Sequence, residues 1–163
     1  MNYFQLFGIE PTFFPDGAAL RKKFLELSRA HHPDYFVHAD ADAQQDALQK
    51  ISDINKAYKT LNNPEAVAAY VLELRGLLTQ DEKYQLPPDF LMEMMDLNEA
   101  AESGAAPDAA IAEKEQELDA AVQPVLKAFN DKTTDNKELE PVKEWWYKKK
   151  YLHRLKAQSG GMS

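Results

Sequence analysis

The run His31-His32-Pro33-Asp34, with His38 a turn further on, is where this chain could do chemistry with side chains alone. An imidazole beside a carboxylate is an acid–base pair, and three histidines with an aspartate could be asked to hold a metal. Neither use has support around it. No nucleophile motif, glycine-rich phosphate loop or second catalytic constellation accompanies the pair, and an exposed turn between helices is a poor place to exclude water. His31 and His32 are adjacent, so their rings diverge on a helix and shared coordination would need distortion. No metal and no cofactor are therefore expected, and the chain is not expected to be an enzyme. Recognition is the third use. Pro33 fixes its own φ, removes a backbone donor and pushes His32 towards an extended conformation. A helix arriving at His31 must then stop, and the stiffened corner shows an imidazole and a carboxylate to a partner. The plainer reading is a helix stop followed by a turn residue.

The segments that position this corner have helical spacing almost throughout, with no convincing alternating strand, so the fold class is all-α. Tyr3, Phe4, Leu6, Phe7 and Ile9 make a short apolar helix ending at Gly8. Asp16 can cap a second helix whose apolar face carries Leu20, Phe24, Leu27 and His31, while Arg21, Lys22, Lys23 and Arg29 lie largely elsewhere. Past Pro33 and a polar loop through about Ala41, Leu48, Ile51, Ile54, Tyr58 and Leu61 give a longer helix that should pair antiparallel with the second. Asn63-Pro64 starts a fourth, with Ala66, Ala69, Tyr70, Leu72 and Leu74 as its apolar content and Gly76 as its stop. Residues 77–87 read as a linker. A three-helix bundle is expected over 88–157: a helix with Phe90, Leu91, Met94, Met95 and Leu97, one from Asp108 to Phe129 that Pro124 should kink or break, and a last one from about Lys137 to Ala157. The domain plan is 1–76, the linker, 88–157, and a disordered tail at 158–163.

Composition narrows the function. Of the 163 residues 44% are apolar and 10% aromatic, enough for a real core. A net charge of -8 argues against general nucleic-acid binding, which needs a concentrated basic face. With no cysteine there is no disulfide, thiolate nucleophile or cysteine-held cluster, and cytoplasm is the natural location. Neither a signal peptide nor a run of about 18 apolar residues occurs, so no membrane is expected as partner. Acids dominate from Gly76 to Pro141, whereas the second and last helices are locally basic, which would guide different partners to different ends. Solvated helix faces are the bland alternative.

A short aromatic helix, a basic amphipathic helix, His-Pro-Asp, a long antiparallel helix and a short fourth helix, in that order, resemble the J-domain of co-chaperones that stimulate ATP-dependent heat-shock chaperones. Three further stretches, Tyr3-Phe4-x-Leu6-Phe7-Gly8, Tyr70-Val71-Leu72-x-Leu74-x-Gly76 and Phe90-Leu91-Met92-Glu93, make the chain resemble the HscB family of iron–sulfur cluster co-chaperones over about residues 1–157. The resemblance implies an adaptor with two ends. His32, Pro33 and Asp34, helped by Arg21, Lys22, Lys23 and Arg29, would engage the specialised chaperone ATPase. Leu91, Met92, Met95, Asp96, Glu99 and Tyr151 would bind the cluster scaffold protein. The residues agree in kind: a carboxylate on a fixed turn can take a charge-assisted bond from a partner arginine, and flexible methionines suit an adaptable contact. The run Phe90 to Leu97 is too apolar all round for one buried stripe, which favours a surface patch over pure core. Ser103 stands where the family often has an acid, Pro124 interrupts a helix, and the last helix ends early. A general J-domain co-chaperone with another client is the rival, separable only by the bundle surface.

Overall fold

With the distant Tyr70 hydroxyl accepting from the Tyr3 N–H at 2.9 Å, Asn2 starts the first helix. Its side chain accepts from the Gln5 N–H at 2.8 Å while the Gln5 side chain accepts from the Asn2 N–H at 2.9 Å, a reciprocal cap that lets a helix as short as α1 (Tyr3–Phe7) form. Gly8 ends it at φ 67, a left-handed position that favours glycine. The computed structural model describes residues 1–102, 104 and 108–160, and among these the only regular elements are helical. After α1 come α2 (Gly17–Ala30), a 3₁₀ turn (Pro33–Phe36), α3 (Ala41–Leu61), α4 (Pro64–Leu74), α5 (Pro88–Glu102), α6 (Asp108–Ala128) and α7 (Glu140–Gly160). The all-α expectation holds. None of these helices is long and apolar enough to cross a membrane.

The chain divides into two compact units, Met1–Val71 with Asn130–Lys132, and Leu72–Phe129 with Thr133–Ser163. In the first, α2 and α3 form the hairpin and α1 packs on both. Asp16 caps α2 by accepting from the Ala18 N–H, and Asp40 caps α3 by accepting from the Ala43 N–H. Phe4, Phe7, Phe13, Leu20, Ile54 and Leu61 fill the core, with Phe24 stacked on Tyr58 at 4.3 Å between ring centres. Two expectations need correction. Leu48 is not core but 53% exposed, because Ala47, one residue earlier, takes the buried position with Ala57. On α4 the buried residues are Val67, Ala68, Val71 and Leu72, while Leu74 faces water. Each helix buries a different leucine, Leu61 on α3 and Leu72 on α4, and leaves Leu48 and Leu74 respectively outside.

In the second unit α6 and α7 run antiparallel, as Glu115 meets Lys149 and Lys156 while Asp119 meets Trp145 and Lys149. Pro124 does not break α6, which continues to Ala128. The proline's missing N–H leaves the Ala120 carbonyl without the usual helical donor, but the neighbouring Val122 and Leu126 are buried and hold this stretch of the helix to the core. Residues 77–87, read as a linker, are fastened to α7 within this unit. Glu82 accepts from the Lys143 ammonium at 3.1 Å and from the Tyr147 hydroxyl at 2.9 Å, and Tyr84 stacks on Tyr147 at 4.5 Å. The Lys143 bond, against a smaller opposing effect of burial, holds Glu82 below the usual carboxylate range. Burial, seconded by Glu82, pushes Tyr147 up to about 12, so its hydroxyl stays a donor. Helix α7 extends to Gly160, further than Ala157 and into the stretch expected as tail. Ser103 and the residues 161–163 lie outside the described residues.

Candidate functional site

The His-Pro-Asp corner is built by α2 ending at Ala30 and by Pro33 opening the 3₁₀ turn. His32 takes φ -62 and ψ 134, the extended region that a following proline imposes. Its Nδ1 accepts from the Asp34 N–H at 3.2 Å, so the imidazole caps the turn that displays it. With Nδ1 accepting, the neutral ring carries its proton on Nε2, an assignment that follows from the hydrogen bond. The Asp34 carboxylate lies 3.5 Å from the same nitrogen, with 85% of its side chain exposed, free to meet a partner. All of His32, Pro33 and Asp34 are exposed. Arg21, Lys22 and Arg29 are exposed on α2 as well, whereas Lys23 is half-buried and 3.9 Å from Glu26. Among the described residues no group of three or more His, Cys, Asp or Glu is placed to hold a metal ion.

On α5 the apolar run resolves into two stripes. Phe90 and Met94 are buried, and on the other side Leu91, Met92 and Met95 are 39%, 64% and 60% exposed. Met92, Met95, Asp96 and Glu99 fall within one helical face at i, i+3, i+4 and i+7, so thioethers and carboxylates are interleaved on one exposed strip. Tyr151 meets α5 through Phe90, its ring edge-on at 5.9 Å between centres, rather than through the methionines. The Lys148 ammonium stands over the same Phe90 ring at 5.4 Å. Asp96 also borders a cleft of 290 Å³ with Leu97, Ala110, Glu113, Lys114 and Glu117.

The structure adds residues that sequence reasoning missed. Glu93 points away from the exposed strip and pairs with Lys114 of α6 at 2.7 Å. Burial disfavours the Lys114 charge, but Glu93 and Glu117 outweigh it and raise its pKa. Behind this, Lys149 is only 5% exposed, with its ammonium 3.2 Å from Asp119 and 3.4 Å from Glu115, and Asp119 also accepts from the Trp145 indole at 2.9 Å. Burial pushes Glu115 up, yet Lys156 and Lys149 together bring it below the ordinary carboxylate value. The signal for Lys149 was present in its register with Val142, Trp145 and Leu152, all buried.

Comparison with known proteins finds a match for each half of the chain. The DnaJ domain family matches residues 2–70, which contain the His-Pro-Asp corner, and the HSCB C-terminal oligomerisation domain matches residues 86–158, which contain the α5 strip. The Co-chaperone protein HscB homolog of Vibrio cholerae is 42% identical over 115 residues, covering 68% of this chain and 67% of that protein. The chain belongs to the HscB co-chaperone family. The HscB homolog of Vibrio vulnificus is 43% identical over 103 residues, a match spanning 60% of that protein's length. Among solved structures, Chaperone HscB from Vibrio cholerae superposes with a TM-score of 0.66 at 31% identity, covering 99% of this chain and 97% of that one. Human co-chaperone protein HscB gives a TM-score of 0.75 at 27% identity, covering 98% and 81%. The HscB members thus share both the J-type half and the helical C-terminal half described here.

Proposed function

We propose that this chain is an adaptor in iron–sulfur cluster biogenesis, working in the cytoplasm without an active site of its own. Residues 1–76 stimulate the ATPase of a specialised heat-shock chaperone, and residues 88–157 bind the cluster scaffold protein and deliver it. What carries the reading is the presence in one HscB-family chain of two exposed surfaces with unlike chemistry. One is a rigid polar corner at His32, Pro33 and Asp34, with Arg21, Lys22, Lys23 and Arg29 on the helix before it. The other is the thioether and carboxylate strip of Leu91, Met92, Met95, Asp96 and Glu99, with Tyr151 beside its Phe90 anchor.

The physical roles follow from these groups. Asp34 offers a carboxylate for a charge-assisted bond to a partner cation. His32 offers the Nε2–H, oriented because Nδ1 is engaged. The cations of α2 speed and orient encounter with an acidic surface more than they add affinity. On α5, methionine side chains adapt to a partner's apolar surface while Asp96 and Glu99 supply charge at its border. The direct test is His32→Gln. Stimulation of the chaperone's ATPase should be abolished with helicity and thermal midpoint nearly unchanged, because the side chain is exposed. A normal stimulated rate would remove the corner from the mechanism.

A further inference from the structure

Beside the His-Pro-Asp corner lies a groove of 270 Å³ lined by Pro33, Phe36, Val37, Gln44 and Leu48. Its volume falls just below the roughly 300–1,000 Å³ of small-molecule sites, so it suits one or two side chains better than a cofactor. Its walls are mostly apolar. Leu48 is 53% exposed, Val37 is 60% exposed, and the adjoining Tyr35 is 75% exposed. Apolar side chains grouped around one exposed groove mark an interaction site more readily than the same side chains scattered singly. The groove is also preformed. The Gln44 amide donates to the Val37 and Ala39 carbonyls, both at 3.1 Å, which pins the loop to the first turn of α3 and satisfies two carbonyls that would otherwise need water. Gln44 and Leu48 stand four residues apart on α3, so the face that pins the loop also supplies the groove's far wall.

We infer that this groove receives an apolar side chain, or two neighbouring ones, from the docking surface of the same heat-shock chaperone ATPase that meets His32 and Asp34. The inference rests on the docking role given to that corner and adds an apolar anchor to it. Continuity argues for this occupant. Pro33 is both the middle residue of the corner and a wall of the groove, so a protein seated on His32 and Asp34 stands next to the groove. The corner supplies direction through hydrogen bonds, which exchange with water and add little net energy. An adjacent apolar pocket supplies what those bonds lack, since a buried anchor flanked by polar contacts is how small interfaces gain affinity.

The experiment titrates full-length chain against the ATPase rate of the chaperone, using Leu48→Gln and Val37→Gln beside His32→Gln, with a thermal melt of each variant. Both groove variants should melt like the parent, because these side chains are largely in water. The expected result is a shift of about tenfold in the concentration giving half-maximal stimulation, with the saturating rate retained, a change that corresponds to losing one good apolar contact. His32→Gln should instead lose the saturating rate. If both groove variants give the parent curve while His32→Gln is inactive, the corner docks without the groove and the inference is overturned. Should His32→Gln itself stimulate normally, the docking role fails and the inference with it. A change in sedimentation of the groove variants with an unaltered stimulation curve would assign the groove to a second copy of this chain, which also overturns it.

Discussion

The corner at His32–Asp34 and the outward face of α5 both hold their key side chains in water, but one is stiffened from within and the other from behind. At the corner, the constraint is local: a proline ring, an imidazole bonded two residues along, and a glutamine pinning the loop. On α5 nothing local orients Met92 or Met95. The helix is set by Phe90 and Met94 in the core, by Glu93 on Lys114, and through α6 by the buried charges around Lys149. A surface held locally can be disabled without unfolding anything, whereas one held from behind shares the stability of its whole unit.

That difference gives a graded set of expectations. The largest effect belongs to Lys149→Ala, which leaves Glu115 to Lys156 and Asp119 to the Trp145 indole and opens a cavity in the α6–α7 seam. Losing the Lys149–Asp119 pair together with the buried stem should cost about 2–3 kcal/mol, less than for a fully buried pair because 41% of the Asp119 side chain is in water, read as a lower urea midpoint, and affinity for the scaffold protein should fall with it. A variant as stable as the parent would show that the α5 strip does not depend on this support. Next comes Leu91→Ala combined with Met92→Ala. Here the melt should be unchanged, and calorimetric titration with the scaffold protein should show affinity reduced about tenfold to a hundredfold, the loss of one or two contact side chains. Equal affinity would move the client to another surface. The smallest effect is confined to acid. Glu115 has its folded pKa lowered by Lys156 and Lys149 against burial. It therefore contributes stability that is present above its unfolded value and is lost as pH falls through the folded one. Compared with Glu115→Gln, the parent should be the more stable near neutrality, and the gap should close as the solution is taken below pH 4.5, the carboxylate's ordinary value. Parallel acid curves for the two would remove Glu115 from the linkage.

How far these features could be read from sequence depended on how local their causes are. Gly8, Asp16 and Pro33 act on neighbouring backbone groups, so the end of α1, the start of α2 and the break before the 3₁₀ turn were all legible. The exposed strip on α5 was legible too, because the run from Phe90 to Leu97 has more apolar residues than one buried stripe can use. Leu48 and Leu74 were misplaced for a different reason. Periodicity finds the apolar stripe of a helix but not which of its members a neighbour shields, and here the shielded positions include Ala47, Ala57 and Ala68. The attachment of Glu82 and Tyr84 to α7 depends on residues some sixty positions away in sequence, which local composition cannot express. The burial of Lys149 was not legible because a charged residue almost never sits fully buried unless paired, and its partners lie on another helix.

The same lysine also limits how α7 can move. Sliding it along α6 by a single turn, about 5.4 Å, would leave the ammonium only one of its two carboxylates, since Glu115 and Asp119 stand one turn apart, and would draw the Trp145 indole off Asp119. Leucines alone would tolerate such a slip, but a lysine straddling two acids works as a detent that favours one alignment of α7 on α6.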